Sequence, residues 1–234
     1  MQQVEVRLSA WLEQGFNLFK ANVGVLALSS LVAMLLSVVT LGILAGPMMA
    51  GLILIILRIM DPAEAKPEVG DLFKGFEYFL QSFLFLLLYV IVDVVVSSIL
   101  AIVPVLGFLA SLFFSMALAT AALFTLFLIV NQRMDFWPAF LRSFETVKSN
   151  FWMFLAFTAI LQVIMFVGAM LCGVGLIFAL PFAYCAAAVA YCEIFGDTNE
   201  EVVEPTPAEP DRDAGFPPTV HRSSPMSGGP RTAS

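Results

Sequence analysis

Residues 79–103 read FLQSFLFLLLYVIVDVVVSSILAIV, and Asp93 is the single charged residue among them. An α-helix rises about 1.5 Å per residue and the hydrocarbon core of a bilayer is about 30 Å thick, so about 20 apolar residues are enough to cross it. Pro104 and Gly107 interrupt the apolar run, and a second one follows directly. This stretch therefore predicts a transmembrane helical hairpin.

Apolar residues dominate the rest of the chain as well. Of its 234 residues, 60% are hydrophobic and 12% are charged, whereas soluble domains average roughly 45–50% apolar and about 25% charged residues. Apolar runs recur up to residue 195, which a cleavable signal peptide cannot account for. The composition predicts an all-α membrane protein with six transmembrane helices. The predicted spans are 23–41, 43–60, 79–103, 106–130, 151–171 and 174–194.

Charge is distributed unequally between the two ends of these spans. Three short turns join the paired spans, at residues 40–42, 103–107 and 172–175, and none of them carries a charge. Every lysine and arginine lies on the opposite side. By the positive-inside rule, that side is the cytoplasm. We therefore expect a multi-pass cell-membrane protein with both termini cytoplasmic, which argues against a receptor for a large external ligand and against an extracellular enzyme.

A short motif occurs three times, each time just before a pair of predicted spans. The copies are Leu12-x-x-Gly15-Phe16-x-x-Phe19, Leu72-x-x-Gly75-Phe76-x-x-Phe79 and, more loosely, Phe140-x-x-Ser143-Phe144-x-x-Val147. Each unit starts and ends on the cytoplasmic side, so the units are parallel and a symmetry axis would lie along the membrane normal. The sequence thus predicts three tandem parallel repeats, each an amphipathic helix plus a transmembrane hairpin, in a pseudo-threefold bundle.

The motif segments predict amphipathic helices near residues 5–21, 70–78 and 136–149. In the first of them, Trp11 and Phe16 share one face while Glu13 and Asn17 lie opposite. Such helices typically lie at the membrane surface, with aromatic rings at headgroup level and basic groups near anionic lipid. A docking surface for a cytoplasmic partner is the alternative interpretation. Together with the spans, these helices define a predicted membrane domain over residues 1–195.

Three segments carry a resemblance to a known family. They are Gly15-Phe16-Asn17-Leu18-Phe19-Lys20, Gly70-Asp71-Leu72-Phe73-Lys74-Gly75-Phe76 and Ser143-Phe144-x-x-Val147-Lys148-Ser149-Asn150. These segments resemble the signatures of a set of uncharacterised bacterial six-helix membrane proteins, which is similar to the membrane region fused to some glycerophosphodiester phosphodiesterases. The resemblance covers roughly residues 8–195. It implies a bacterial inner-membrane location and no established activity; the phosphodiesterase catalytic domain is absent from this sequence, so that reaction is not expected here.

Side chains that could carry chemistry are scarce in the predicted spans. The one histidine, His221, is in the polar tail, so neither a His-based metal site nor a catalytic triad is expected in the membrane. Cys172, Cys185 and Cys192 belong to the last hairpin, lack a Cys-x-x-Cys spacing and are predicted to be buried apolar thiols. We therefore expect no cofactor, no metal and no enzymatic activity.

Asp93 is the exception, because it lies in the middle of the third predicted span. Counted from Phe79, it lies about 20 Å into the hydrocarbon layer, where an ionised carboxylate costs on the order of 3 kcal/mol or more. By the same rise, Gln162 lies about 18 Å into the fifth span and Ser37 about 22 Å into the first. We predict that Asp93, Gln162 and Ser37 form a polar layer near the bundle axis, made by the first helix of each repeat.

Two interpretations of this polar layer remain open. In the functional one, Asp93 binds a cation or titrates a proton within an ion or solute site. In the structural one, Asp93 is protonated or hydrogen-bonded and fixes helix packing, with Gln162 or Ser98 as its partner. A single carboxylate without a paired cation in the membrane favours the structural interpretation.

Rows of small residues spaced four apart lie on three predicted helices. They are Gly42, Gly46 and Ala50; Ser111, Ser115 and Ala119; and Ala179, Ala183 and Ala187. Such rows let helices approach closely, either inside a compact bundle or between copies of a homo-oligomer or a protein partner. The lipid bilayer is the other expected partner, and no nucleic-acid partner is expected.

The composition changes abruptly at Gly196, after which Pro, Glu, Asp, Ser and Gly predominate. Too little apolar material remains to offset the entropy lost on ordering. Residues 196–234 are therefore predicted to be a disordered, acidic cytoplasmic tail, which is either a tether for a partner or a solvated terminus.

Two classes of function remain at this point. The first is a non-enzymatic membrane scaffold or accessory component, which needs no polar cavity. The second is a small-solute or ion transporter or channel, which needs one and would use Asp93 as its central polar group. The small number of polar residues in the predicted spans favours the first class.

Overall fold

The computed structural model describes residues 7–61, 66–171 and 174–200, without the side chains of residues 104 and 197–200. Within these ranges the chain forms helices and turns and no β-strand. The α-helices are α1 (Leu8–Ala21), α2 (Val23–Val39), α3 (Ala45–Met60), α4 (Phe79–Leu100), α5 (Pro104–Ala121), α6 (Thr125–Gln132), α7 (Phe136–Ser149), α8 (Phe151–Met170) and α9 (Leu176–Glu200). A 3-10 helix (Val69–Tyr78) precedes α4. The fourth predicted span is divided between α5 and α6.

Four helical stretches in the described ranges are long and apolar enough to cross a membrane. They are Val69–Leu100, Val105–Gln132, Phe151–Met170 and Leu176–Gly196. The bent pair α1 and α2 would add a fifth if it is a single span. The described part of the chain is therefore all-helical, with four or five candidate spans, as expected of a membrane-embedded protein. Six spans are not confirmed, because α2 has 17 residues and α3 has 16, fewer than the about 20 that a full crossing needs.

α4 lies at the periphery of the bundle. Only Ser82 and Phe85 are buried among its residues. Its exposed large side chains are apolar: Leu80, Leu87, Leu88, Val90, Ile91, Val94, Val95 and Ile99. A helix surface of this kind is stable in lipid and would be unfavourable in water, so α4 is suited to contact the bilayer along most of its length.

The inner layer of the bundle consists instead of α3, α6 and the middle of α9. Every residue from Thr125 to Val130 in α6 is buried, and so is every residue from Cys185 to Tyr191 in α9. In α3, Leu52, Ile53 and Ile56 are fully buried among many others. α3 contacts both α6 and α9. In the first and third predicted hairpins, therefore, the second helix, α3 or α9, is internal while the first, α2 or α8, is more exposed. In the middle hairpin only α6 is internal, since most residues of α4 and α5 are exposed or half-buried.

Two asparagines mark the junctions between amphipathic and apolar helices. Asn22 lies between α1 and α2 with φ −126° and ψ 24°, and Asn150 lies between α7 and α8 with φ −138° and ψ 49°. In both, the backbone N–H donates to the carbonyl three residues earlier, on Phe19 and Val147 respectively. Because α1 and α2 meet at 90°, a spanning α2 would leave α1 parallel to the membrane surface.

Each amphipathic segment packs on the second helix of a different hairpin. α1 packs on α9, the 3-10 helix packs on α3, and α7 packs on α6. Since α3, α6 and α9 form the inner layer, these contacts cover one end of it. We call this end of the bundle, where α1, the 3-10 helix and α7 lie, the charged end.

The small residue of the repeated motif lies at each of these three crossings. A Cβ atom on Gly15 would lie 2.6 Å from the Ala186 Cα, and one on Gly75 would lie 2.5 Å from the Gly51 backbone nitrogen. Both distances are too short for any side chain at those positions. At the third crossing, the Ser143 hydroxyl hydrogen-bonds to the backbone of Ala121 and Phe124, at the link between α5 and α6. The motif therefore permits close backbone contact between helices.

The 3-10 geometry of residues 69–78 explains why two rows of side chains run along it. Residues three apart eclipse each other in a 3-10 helix. Leu72 and Gly75 are both buried and form the row that meets α3. Phe73, Phe76 and Phe79 form the other row, with successive ring centroids 6.3 Å apart and interplanar angles of 3° and 5°.

The predicted tail falls almost entirely outside the described residues. α9 ends at Glu200, and residues 201–234 are not described. Residues 196–200 continue α9, so the boundary predicted at Gly196 falls within a helix. For residues 201–234 disorder stays a prediction, as does the position of His221.

Candidate functional site

Asp93 is hydrogen-bonded to a neighbouring helix. The Ser115 hydroxyl of α5 donates to the Asp93 Oδ1 of α4 over 2.6 Å. Both side chains are half-buried, at the contact between the two helices of one hairpin. The hydroxyl replaces one of the hydrogen bonds that a carboxyl group loses when it leaves water. The partner is neither Gln162 nor Ser98, the two predicted candidates.

The three residues of the predicted polar layer are not brought together. Gln162 is exposed on α8 and Ser37 is half-buried on α2. The Ser37 hydroxyl donates to the Ala33 carbonyl of its own helix over 2.7 Å. No hydrogen bond within the described residues joins Asp93, Gln162 and Ser37. They lie on α4, α8 and α2, the more exposed helix of each hairpin, whereas the inner layer consists of α3, α6 and α9.

A cavity of about 320 Å³ lies among the helices near Asp93. Its lining comes from α3, α4, α5, α6, α8, α9 and the link between α5 and α6, and is mostly apolar. The polar lining residues are Tyr89, Thr158, Gln162 and Tyr184, and no charged residue lines it. Of the three predicted site residues, only Gln162 lines the cavity. The sequence analysis did not identify the two tyrosines. The feature that could have identified them is that each places a polar hydroxyl in the middle of an apolar span.

Thr158 is a further polar group at this cavity. The residue is 4% exposed, and its hydroxyl has no hydrogen-bond partner in the described part of the chain. Ser29 and Thr125 carry similarly unpartnered buried hydroxyls. An unpaired buried hydroxyl costs on the order of 1–3 kcal/mol.

Glu193 links α9 to α1 at the charged end. The Trp11 indole N–H donates to the Glu193 Oε2 over 2.6 Å, and the Arg7 guanidinium lies 3.5 Å from Oε1. Trp11 is fully buried and its ring packs edge-on against Phe157 of α8. The sequence alone assigned no role to Glu193. The contacts indicate that it anchors an amphipathic helix to the inner layer.

Tyr191 is the centre of a second polar group at the charged end. Its hydroxyl accepts hydrogen bonds from Asn131 over 3.0 Å and from Gln132 over 3.5 Å. The Gln132 amide oxygen accepts in turn a hydrogen bond from the Arg142 guanidinium over 2.6 Å. The same guanidinium lies 5.6 Å from the centroid of the Phe195 ring. These contacts tie α6, α7 and α9 together.

Asp71 is the third such group and joins the 3-10 helix to α3. Its carboxylate lies 2.6 Å from the Lys74 ammonium and 3.2 Å from the Arg58 guanidinium, and it accepts from the Glu68 backbone N–H over 2.9 Å. The side chain is 15% exposed. The hydrogen bonds from Lys74 and from the Glu68 backbone hold the pKa of Asp71 below its ordinary value. Arg58 thus has a specific partner at the end of its helix.

Two of the three small-residue rows are used inside the bundle. A Cβ on Gly46 would lie 2.7 Å from the Ser82 carbonyl oxygen, and Ala50 is fully buried. Ala179, Ala183 and Ala187 are buried as well. Gly46 and Ala50 on α3 and the row on α9 are therefore not available for contacts between copies. Gly42, the first member of the α3 row, lies instead in the exposed turn before α3, with φ 88°. On α5, Ser111 is half-buried, and the Ser115 hydroxyl donates to Asp93.

The cysteines lie apart from these polar groups. Cys185 is buried and Cys192 is half-buried, and both are free; Cys172 lies outside the described residues. Within the described ranges, no cluster of three His, Cys, Asp or Glu side chains could hold a metal ion.

No protein family model matches this chain, and neither a curated protein nor a solved structure is significantly similar to it.

Proposed function

We propose that this chain is a non-enzymatic membrane scaffold or accessory component, embedded in a bacterial inner membrane with both termini in the cytoplasm. One observation carries the proposal: Asp93 is hydrogen-bonded to Ser115 at the periphery, while the inner layer of α3, α6 and α9 consists of packed, largely apolar side chains. A continuous water-filled path along the bundle axis would require polar groups in that inner layer.

The architecture we propose is three tandem units in a cyclic arrangement. Unit one comprises α1 to α3, unit two the 3-10 helix to α6, and unit three α7 to α9. Each amphipathic segment packs on the second apolar helix of the preceding unit, since α1 packs on α9, the 3-10 helix on α3, and α7 on α6. The similar backbone at Asn22 and Asn150 supports the equivalence of units one and three.

The charged end is the surface we assign to partners. It carries three polar links between helices, centred on Glu193, Tyr191 and Asp71, so its geometry is held by the bundle. Charged side chains such as Glu13, Glu145 and Lys148 are exposed there. A rigid, charged surface on the cytoplasmic side suits an accessory subunit.

Cysteine accessibility tests the proposal. In full-length protein lacking Cys172, Cys185 and Cys192, the variants Asp93→Cys, Ser37→Cys and Gln162→Cys are treated in membrane vesicles with a small membrane-impermeant thiol reagent from each side. Leu41→Cys is the matched control, because Leu41 is 94% exposed in the turn between α2 and α3. We expect the control to react from one side and the other three variants to stay unreacted.

Reaction at Asp93→Cys would overturn the proposal. It would reveal a water-filled path into the bundle and favour the alternative function, a small-solute or ion transporter with Asp93 in its site. Asp93→Asn provides a second readout in proteoliposomes: a transporter loses flux or ion coupling, whereas a scaffold shows no flux with either residue.

A further inference from the structure

Three polar side chains without hydrogen bonds meet at the cavity. Tyr89 lies on α4, Gln162 on α8 and Tyr184 on α9, and all three line it. None of the three makes a hydrogen bond to any described residue, although most polar side chains of the bundle are paired. We call Tyr89, Gln162 and Tyr184 the polar trio. Tyr89 and Tyr184 are half-buried and Gln162 is exposed, but at membrane depth their surroundings are hydrocarbon, where a polar group without a hydrogen bond is unfavourable. A group supplied from outside the chain is therefore the expected partner.

The rest of the lining defines what that partner must be. Its other residues are apolar except Thr158; they include Phe85 and Leu86 on α4, Leu161 and Met165 on α8, and Phe127 on α6. No lysine, arginine, aspartate or glutamate is among them, so a charged ligand would be desolvated without compensation. Ligand pockets are typically 300–1,000 Å³, mostly apolar, with a few polar groups that fix orientation; at about 320 Å³, this cavity fits the small end of that range.

The donors of the polar trio determine the polar part of the ligand. Two phenol hydroxyls and a carboxamide can all donate hydrogen bonds, which matches a carbonyl oxygen. Gln162 is exposed on the outer surface of α8, next to Val163, which is 61% exposed. The cavity is therefore reached from the lipid-facing side of the bundle.

We propose that this cavity binds the apolar chain of a neutral, membrane-soluble ligand that carries a carbonyl group, with Tyr89, Gln162 and Tyr184 as its hydrogen-bond donors. The carbonyl of a phospholipid acyl ester and that of a membrane quinone share this chemistry. The proposal concerns one ligand site and holds for a scaffold, in which the ligand is a structural component.

Photolabelling tests the proposal on the full-length protein in phosphatidylcholine vesicles. One arm uses a phosphatidylcholine with a diazirine on its acyl chain, and the other an azido-ubiquinone. We expect one probe to label cavity residues such as Leu161 or Met165 in preference to exposed side chains such as Phe166, which is 63% exposed. The probe that labels identifies the source of the carbonyl. Labelling confined to exposed side chains with both probes overturns the proposal.

A cavity-filling variant and its control test whether the label requires the cavity. Ala119→Phe places a ring at the cavity wall, whereas Ala169→Phe places one on the exposed surface of α8. Labelling should be lost in Ala119→Phe and kept in Ala169→Phe. If both folded variants label as the wild type does, the probe does not occupy the cavity.

Competition on the wild-type chain tests the polar trio and needs no variant. A long-chain methyl ester should displace the probe about tenfold better than an alkane of equal length, the effect of one net hydrogen bond at the upper end of its range. In Tyr184→Phe with Gln162→Leu, this preference should fall. Equal displacement by ester and alkane on the wild type would contradict a role for the polar trio.

Discussion

The small residues Gly15, Gly75 and Ser143 permit close contact between the backbones of crossing helices. A Cβ on Gly75 would overlap the Pro47 carbonyl oxygen and lie 2.8 Å from the Gly51 Cα. Backbone atoms cannot move aside as the end of a long side chain can. At the residue scale, the motif is therefore explained by the space available at each helix crossing.

Gly75→Ala should destabilise the protein while Gly70→Ala should not. Gly70 lies in the same 3-10 helix, and nothing lies within 4 Å of a Cβ built on it. Overpacking at Gly75 should cost about 1–3 kcal/mol, which lowers the Tm by roughly 2–12 °C in a chain of this size. Thermal unfolding in detergent measures both variants. Equal Tm values would contradict the close contact with α3.

Ser143→Ala should leave two backbone groups without a partner. The Ser143 hydroxyl donates to the Ala121 carbonyl over 2.7 Å and accepts from the Phe124 N–H over 3.2 Å, in a fully buried position. Loss of these bonds should cost about 1–3 kcal/mol. Ser149→Ala is the matched control on the same helix, since Ser149 is exposed and donates to Thr146. The Tm should fall in Ser143→Ala alone; a similar decrease in both would refute the role of Ser143 at this break.

At the scale of the element, the 3-10 helix depends on one carboxylate for its polar contact with α3. Asp71 caps the start of the helix through the Glu68 N–H and pairs with Arg58 at the end of α3. Glu68 and Asp71 are three residues apart and form the cap locally, whereas Arg58 becomes a partner only because the 3-10 helix packs on α3. Local capping can be predicted from spacing, whereas a partner on another helix depends on how the helices pack.

The contribution of Asp71 should disappear at low pH. Its folded-state pKa is lowered, chiefly by the hydrogen bond from Lys74, so the stabilisation is present above the unfolded-state pKa of about 4 and is lost as the pH falls through the folded-state value. The Tm difference between the wild type and Asp71→Asn should therefore be largest near neutral pH and shrink in acid. Glu13→Gln, at an exposed position on α1, is the control. A difference that stays constant with pH would exclude the ionised carboxylate as its cause.

For the whole molecule, the arrangement predicts that the turn between α2 and α3 and the charged end face opposite sides of the membrane. Leu41 is exposed in that turn and Lys148 is exposed on α7. In the cysteine-free background, Leu41→Cys and Lys148→Cys should react with an impermeant thiol reagent from opposite sides of a sealed vesicle. Lys148→Cys should react from the cytoplasmic side. Reaction of both from the same side would contradict the predicted topology.

The positions of the helices follow from the sequence alone. Length and hydropathy are local properties, so the apolar runs predicted α2, α3, α4 and α8 to within a few residues, whereas α9 continues past the predicted end at residue 194 to Glu200. Gly and Pro predicted the turns, and the repeated motif identified the segments that became α1, the 3-10 helix and α7. The break between α5 and α6 was not predicted, because its support comes from Ser143 on another helix.

Which helix is internal was decided by the tertiary structure alone. Lipid tails are as apolar as a packed protein core, so α3 and α4 are both largely apolar although one is buried and the other is exposed on the surface of the bundle. Hydropathy therefore predicts that a helix is removed from water, but it does not predict whether the helix packs against protein or against lipid. For the same reason the sequence identified Asp93 as an unusual residue, while only the packing of α4 against α5 made Ser115 its partner and brought Tyr89, Gln162 and Tyr184 to one cavity.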